Sequence, residues 1–140
     1  MLYVDTSILV AALTREPATG RMQAWLADQA AGVLAISEWV LTEFSAAMSV
    51  KVRTGQLAAP DRAEALAVFT ALVDASFQVL PVSGQDFRVA ARLADQHATG
   101  LRAGDALHLA VASRRGARVR TLDRGLAAAA EALGVSVALV

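Results

Sequence analysis

The chain opens on Leu2-Tyr3-Val4, an apolar run that closes at once with Asp5 and two hydroxyls, Thr6 and Ser7. Residues Ile8 to Leu13 show no polar alternation and read as a buried helix. Strand, acid, hydroxyl, helix is the grammar of a parallel α/β unit. In an open parallel sheet, ligands sit beyond the carboxyl ends of the strands, where the strand order reverses. The same grammar returns near the other terminus as Arg118-Val119-Arg120-Thr121-Leu122-Asp123. The chain is therefore expected to bring these two distant stretches together, with an acid at each strand tip.

Between them, apolar runs alternate with helical patterns. Pro17 suits a helix first turn, and a helix over Ala18 to Ala31 carries Met22, Trp25 and Leu26 at helical spacing before Gly32 ends it. Val33 to Ile36 reads as a second strand. Ser37 is the expected N-cap of a helix with Glu38 in its first turn, running through Trp39, Glu43, Phe44 and Met48 towards Gly55. Pro60 opens a further helix striped by Leu66, Phe69, Leu72 and Val73. Phe77 to Leu80 is a third strand, and Ser83 caps the next helix, with Phe87, Ala90, Ala91 and Ala94 on one side. Leu101 to Asp105 leads into a very apolar helix that stops before Gly116. Val119 to Leu122 and Val135 to Val140, with an Ala-rich helix between them, complete five short strands. Such alternation predicts an α/β sandwich around a parallel sheet, one domain over residues 1–140.

The chain contains no cysteine, which excludes a disulfide frame, a thiolate zinc site and a cysteine nucleophile. No basic leader precedes an apolar segment, and no apolar run reaches a membrane span, so a soluble cytoplasmic protein is expected. Net charge is zero, which alone would argue against a nucleic-acid partner. Twelve of the thirteen basic residues are Arg, however, and Arg is the better bidentate phosphate ligand. If four acids are set aside in one metal site, thirteen basic residues face nine acids and the remaining surface carries +4. The hydrophobic fraction of 56% leaves apolar surface to spare for a partner or self-association, with Trp25, Trp39 and Met48 as interface candidates beside a core role.

Burying a carboxylate is expensive unless it is paired or metal-bound, so acids set among apolar residues single themselves out. Four do so. Asp5 and Asp123 end strands, Glu43 interrupts Trp39 to Ala47, and Asp105 enters Ala106 to Val111. Glu16, Asp28, Asp61, Glu64, Asp74 and Asp95 fall in loops or on polar helix faces. Each of the four also has a local role open to it: helix cap for Asp5, solvated helix position for Glu43, first-turn dipole partner for Asp105, turn residue for Asp123. Their combination at one end of a parallel sheet points instead to a divalent cation, Mg²⁺ above all, which takes a few carboxylates and keeps water. Thr6, Ser7 and Thr121 stand ready to cap or to hydrogen-bond a carboxylate. His108, one turn after Asp105, reads as a core histidine or a satisfied neighbour of the site rather than a base.

With these pieces in place, the chain resembles a PIN-domain ribonuclease of the VapC toxin type. MLYVDTSILV, SEWVLTEFSAAMSVKVRTGQL, LRAGDALHLAVA and VRTLDRGLAAAAEALGV match the family in order and spacing along essentially the whole chain. The resemblance implies a PIN-like three-layer α/β/α sandwich and a Mg²⁺- or Mn²⁺-dependent endoribonuclease. It places the family's acids on Asp5, Glu43, Asp105 and Asp123 and its hydroxyls on Thr6 and Thr121. Asp5, Asp105 and Asp123 would hold metal, the last directly or through water, and Glu43 would bind metal or orient the attacking water. It further implies RNA as substrate, a small antitoxin partner whose tail covers apolar helices and blocks the acidic pocket, and a homodimer.

Arg15, Lys51, Arg53, Arg102 and Arg124 flank the acids in sequence and are the expected RNA-backbone contacts. No aromatic platform for stacking is evident, which favours a folded RNA read by shape. A receiver-like phosphoacceptor domain is the competing enzyme-free reading, but it needs an acid ending the third strand, where Leu80-Pro81-Val82 stands, and a strand-end Lys, whereas Lys51 lies on a helix. A phosphatase of the haloacid dehalogenase type needs an acid two after Asp5, where Ser7 stands. A catalytically silent interaction module on the same fold is the other alternative.

Overall fold

Short strands without polar alternation must be covered on both faces. In the computed structural model, which describes residues 1–140, the inner strands are, while the two edge strands stay partly exposed. In chain order the elements are β1 (Leu2–Val4), α1 (Thr6–Leu13), α2 (Thr19–Ala27), β2 (Leu34–Ser37), α3 (Glu38–Arg53), α4 (Ala59–Ser76), β3 (Gln78–Leu80), α5 (Gly84–Ala94), a 3-10 turn (His97–Thr99), α6 (Ala103–Arg114), β4 (Arg118–Thr121), α7 (Arg124–Ala132) and β5 (Val137–Leu139). All five strands are parallel, in the order β3-β2-β1-β4-β5. β1 is central: Leu2 lies opposite Leu34 on one side and Arg118 on the other.

The first two crossovers step outward from β1 to β3, and the last two return past it to β5. Right-handed crossovers then put α1–α4 on one face and α5–α7 on the other. Packing agrees, since α1 lies against α2, α3 and α4, and α5 against α6. The result is the expected three-layer α/β/α sandwich. Its strand order reverses between β1 and β4, the two strands that end in acids.

The core is continuous. Tyr3, Val4, Ile8, Leu9, Ile36, Val40, Phe44, Met48, Val111 and Val119 are all fully buried. Phe44 stacks on Phe69 with ring centroids 4.0 Å apart, joining α3 to α4. In α6 every residue from Ala106 to Ala112 is buried, so this helix is a core element on all sides. No helix is long and apolar enough to cross a membrane.

Several local expectations shift. α2 ends at Ala27 rather than Ala31; residues 28–31 form a turn, and Gly32, at φ +78°, takes the chain round to β2. Ser37 occupies the N-cap position of α3, but its hydroxyl does not cap; it is turned into the core. Phe87 is 57% exposed, not part of the buried stripe of α5. Met48 is wholly core and offers no interface, while Trp25 is partly buried beneath the guanidinium of Arg120, 5.4 Å from its ring.

Ser83 caps α5 as expected, in a capping box with Asp86, whose carboxylate accepts from Ser83 N at 2.7 Å. Asp86 is fully buried and also receives Arg114 Nη1 at 2.5 Å and Arg115 Nη1 at 3.1 Å, which ties the start of α5 to the end of α6. Burial alone would raise this carboxyl, but Arg115, Ser83 and Arg114 outweigh it and hold it well below the ordinary aspartate value of 3.8. A group depressed on folding contributes stability that is complete above its unfolded value and is lost as pH falls through the folded one. Asp86→Asn should cost about 3 kcal/mol in urea unfolding at neutral pH. It should also flatten the loss of stability that the native protein shows below about pH 4.

Candidate active site

Asp5 leaves β1 with its backbone N–H donating to Arg120 O of β4 at 3.1 Å. Its side chain is 5% exposed and makes no capping bond to α1, so the helix-cap role does not apply. Two hydroxyls hold it. Ser7 Oγ donates to Oδ1 at 2.6 Å and Thr121 Oγ1 to Oδ2 at 2.9 Å. Each hydroxyl in turn accepts from the backbone beyond β4: Leu122 N–H to Ser7 at 3.0 Å and Asp123 N–H to Thr121 at 2.9 Å. Ser7 and Thr121 are thus relays that stitch the end of β1 to the end of β4 through the Asp5 carboxylate. Burial pushes the Asp5 carboxyl up, only partly offset by Ser7, His108 and Thr121.

Glu43, at the middle of α3, accepts from Thr6 Oγ1 at 2.5 Å and from His108 Nε2 at 2.6 Å, both on Oε2. Burial raises its carboxyl, but the His108 ring and Thr6 outweigh that and lower it on balance. The indole N–H of Trp39 lies near enough to favour the ionised form, yet forms no hydrogen bond. Asp105, in the first turn of α6, has only Arg102 Nε at 3.7 Å, and that guanidinium is 83% exposed. Burial raises the Asp105 carboxyl against the pull of Arg102 and His108, with Asp123 and Glu43 pushing the same way as burial. Asp123 does cap a helix: its Oδ1 accepts from Gly125 N and Leu126 N at 2.8 and 3.0 Å. Its other oxygen makes no such bond.

All four acids line one open hollow of about 560 Å³ at the carboxyl ends of β1 and β4, together with Thr6, Ser7 and His108. Val10, Ala46, Ala47 and Val50 form an apolar wall beside them. Thr121 reaches the site through Asp5, the Asp123 N–H and a 3.5 Å contact with Ser7 Oγ. Glu16, which the sequence places among loop acids, also lines the hollow and holds Lys51 Nζ at 3.0 Å. Lys51 is therefore occupied by a carboxylate rather than free for phosphate. Arg15, Arg53, Arg102 and Arg124 are exposed.

Sequence reasoning missed Glu16, the link from Glu43 through His108 to Tyr3, and Gly104, where a Cβ would come within 3.0 Å of Glu43 Oε1. The signal available for Tyr3 was its hydroxyl in an otherwise apolar strand, which must find a partner when buried.

The donor set is hard carboxylate oxygen, the type that suits Mg²⁺ or Mn²⁺. No three of these acids and histidines are gathered tightly enough to cage an ion by themselves. That openness suits a cation that dehydrates reluctantly and is bound through one or two carboxylates plus water. Two of the carboxyls, Asp5 and Asp105, are raised chiefly by burial, which the positive groups nearby do not offset.

The fold is shared with several solved structures. FitAcB from Neisseria gonorrhoeae matches with TM-score 0.71 and 22% identity over 98% of this chain and 96% of that one. VapC20 of Mycobacterium tuberculosis, described as a sarcin-ricin loop cleaving toxin, matches with TM-score 0.72 and 20% identity over 92% and 95%. DNA-bound VapBC from Salmonella typhimurium matches with TM-score 0.70 and 19% identity over 99% and 96%. No curated protein matches the sequence significantly. The model of one family, the PIN domain, matches residues 2–132, from β1 to the end of α7. With nearly the whole chain covered, and the strand-tip acids inside the match, this protein belongs to the PIN domain family.

Proposed function

We propose that this protein is a Mg²⁺- or Mn²⁺-dependent endoribonuclease and the toxin of a type II toxin–antitoxin pair. One observation carries the proposal: four carboxylates from four separate elements line one hollow at the strand-order reversal, with no strong cationic partner beyond the His108–Glu43 contact. Structural relatives that are toxins or toxin–antitoxin complexes support it, one of them described as cleaving the sarcin-ricin loop of RNA.

Asp5 and Asp105 would hold the cation, Asp5 in an orientation fixed by Ser7 and Thr121, with Asp123 holding it directly or through water by the oxygen not used to cap α7. A divalent cation there supplies Lewis acidity to the scissile phosphate and makes a water-derived nucleophile available near neutral pH. Glu43, whose carboxyl is lowered on balance, is the group suited to orient the attacking water. The hollow has no aromatic lining, which favours a folded RNA bound by its backbone over stacked single-stranded bases. Arg15, Arg53, Arg102 and Arg124 are the side chains placed to meet phosphates. A homodimer and a small antitoxin that seals the acidic hollow with a basic side chain complete the proposal.

RNA from cells expressing the wild type should gain a discrete set of new ends, read by sequencing, that Asp5→Asn lowers more than about 100-fold. In vitro the cleavage should need Mg²⁺ or Mn²⁺ and stop with a chelator; cleavage that persists without metal sinks the proposal. The metal should also raise the melting temperature by mass action. Asp105→Asn should leave the metal-free protein as stable as wild type or more so, by relieving repulsion from Asp123 and Glu43, while losing the metal-induced rise.

A further inference from the structure

A line of polar groups runs through the core behind the acids, and the chemistry proposed above makes no direct use of it. Ser37 Oγ and Tyr3 Oη lie 2.7 Å apart, Tyr3 Oη and His108 Nδ1 2.8 Å, and His108 Nε2 and Glu43 Oε2 2.6 Å. Ser37 and Tyr3 are 0% exposed and His108 is 2% exposed. The four residues come from β2, β1, α6 and α3, so the line crosses the sandwich from the sheet to the hollow. A phenylalanine, an alanine and a leucine would fill the first three positions without any polar atom to satisfy. Their hydroxyls and ring nitrogens are instead fully paired, and the pairing ends on one carboxylate oxygen.

Hydrogen-bond accounting gives the line a direction. The Glu43 carboxylate can only accept, so the His108 nitrogen facing it, Nε2, is the one that carries the proton. Nδ1 then accepts from the Tyr3 O–H, and the Tyr3 oxygen accepts from Ser37. Both ring nitrogens are then occupied, and His108 has none left for a substrate. Thr6 donates to the same Glu43 oxygen at 2.5 Å, leaving Oε1 without a hydrogen bond. Gly104 makes room for that atom, since a Cβ there would stand 3.0 Å from Oε1 and 3.3 Å from Trp39 Cζ2.

We propose that His108 is a positioning residue that fixes Glu43 through Oε2 and leaves Oε1 as its working atom, with Tyr3 and Ser37 setting the imidazole and Gly104 clearing the space. This rests on the nuclease reading for its consequence, but not for its geometry. It also explains why a histidine sits on a helix otherwise buried as Ala, Leu and Val: the ring is the only side chain there that can accept from the sheet and donate to α3 at once.

Two measurements test it. In the metal-free, ¹⁵N-labelled wild type, long-range nitrogen–proton correlation should find a proton on His108 Nε2; a bare Nε2 would leave nothing to give Glu43 and overturns the proposal whatever the activity. For function, rates are taken with Mn²⁺ at the strongest site mapped in total bacterial RNA. His108→Leu should lower kcat by about 10- to 100-fold with KM within about twofold, as loss of an outer support does. His108→Gln, which can still present an N–H to Glu43, should recover most of that loss, and Gly104→Ala should reproduce part of it. The Mn²⁺-induced rise in melting temperature should survive in each. Equal losses in the Leu and Gln variants, tracking a fall in folded protein, would mean the histidine only packs. Should His108→Leu fail to fold, Tyr3→Phe, which touches neither Glu43 nor the hollow, carries the same kcat test with a smaller loss. Wild type that cuts no RNA with either metal overturns the nuclease reading, and the nitrogen measurement still decides the clamp.

Discussion

Strand β1 pairs on both sides, and its pairing with β4 joins chain positions more than a hundred residues apart. Three residues in register, Leu2 with Arg118, Tyr3 with Val119 and Val4 with Arg120, set the two strand ends level. The Asp5 N–H to Arg120 bond carries the ladder one residue further. Everything at the hollow follows from that alignment. A one-residue slip would turn each strand's side chains to the opposite face, separating Asp5 from Thr121 and breaking both hydroxyl relays. The pairing is long-range, so its loop-closure cost must be met by burial, which is why the strands that meet here carry Tyr3, Val4 and Val119, all without exposure.

The hollow works against the stability of the fold that forms it. Asp5 and Asp105 are raised chiefly by burial, and Asp105 also by Asp123 and Glu43. No basic residue is brought in close to relieve them; Arg102 stands off at 3.7 Å and is mostly in solvent. Contrast Asp86, at the far end of α6, where two arginines and a capping box neutralise a single buried acid completely. The same chain thus shows how it treats a structural carboxylate, and it treats the strand-tip acids differently. That difference, more than the number of acids, is what supports the proposal of an external cation at the hollow.

How much of this could be read beforehand depended on whether a residue's signal was local. Asp5, Glu43, Asp105 and Asp123 were legible because each interrupts or ends an apolar segment, and the alternation of strands and helices was legible because buried parallel strands lack polar residues. Ser83 was legible as a cap because its partner, Asp86, is three residues away. Ser37 looked the same locally, yet its hydroxyl answers to Tyr3, 34 residues earlier, and no window of sequence contains that fact. Glu16 and Lys51 failed for the same reason: each looks solvated alone, and only the approach of α3 to the end of α1 pairs them at the rim. The end of α2 was overrun because Ala27 to Ala31 has good helical propensity throughout, while the chain must turn early to enter β2; tertiary geometry overrode propensity.

Zero net charge and a polyanionic substrate stop being at odds once charges are placed. The acids of the hollow are partly or wholly withdrawn from solvent and face one cavity, whereas Arg15, Arg53, Arg102 and Arg124 stand on the exposed surface. Lys51, at the rim of the hollow, is spent on Glu16. Under the proposed function, a phosphate chain would find exposed guanidinium groups to bind on the surface. It would then meet a ring of carboxylates that repels it unless a cation intervenes. Under the proposed function such an arrangement would couple binding to metal loading: without the ion the carboxylates would repel a phosphate, and with it the remaining surface would be net positive. The neutral total is thus the sum of acids gathered at one hollow and basic residues left largely on the exposed surface.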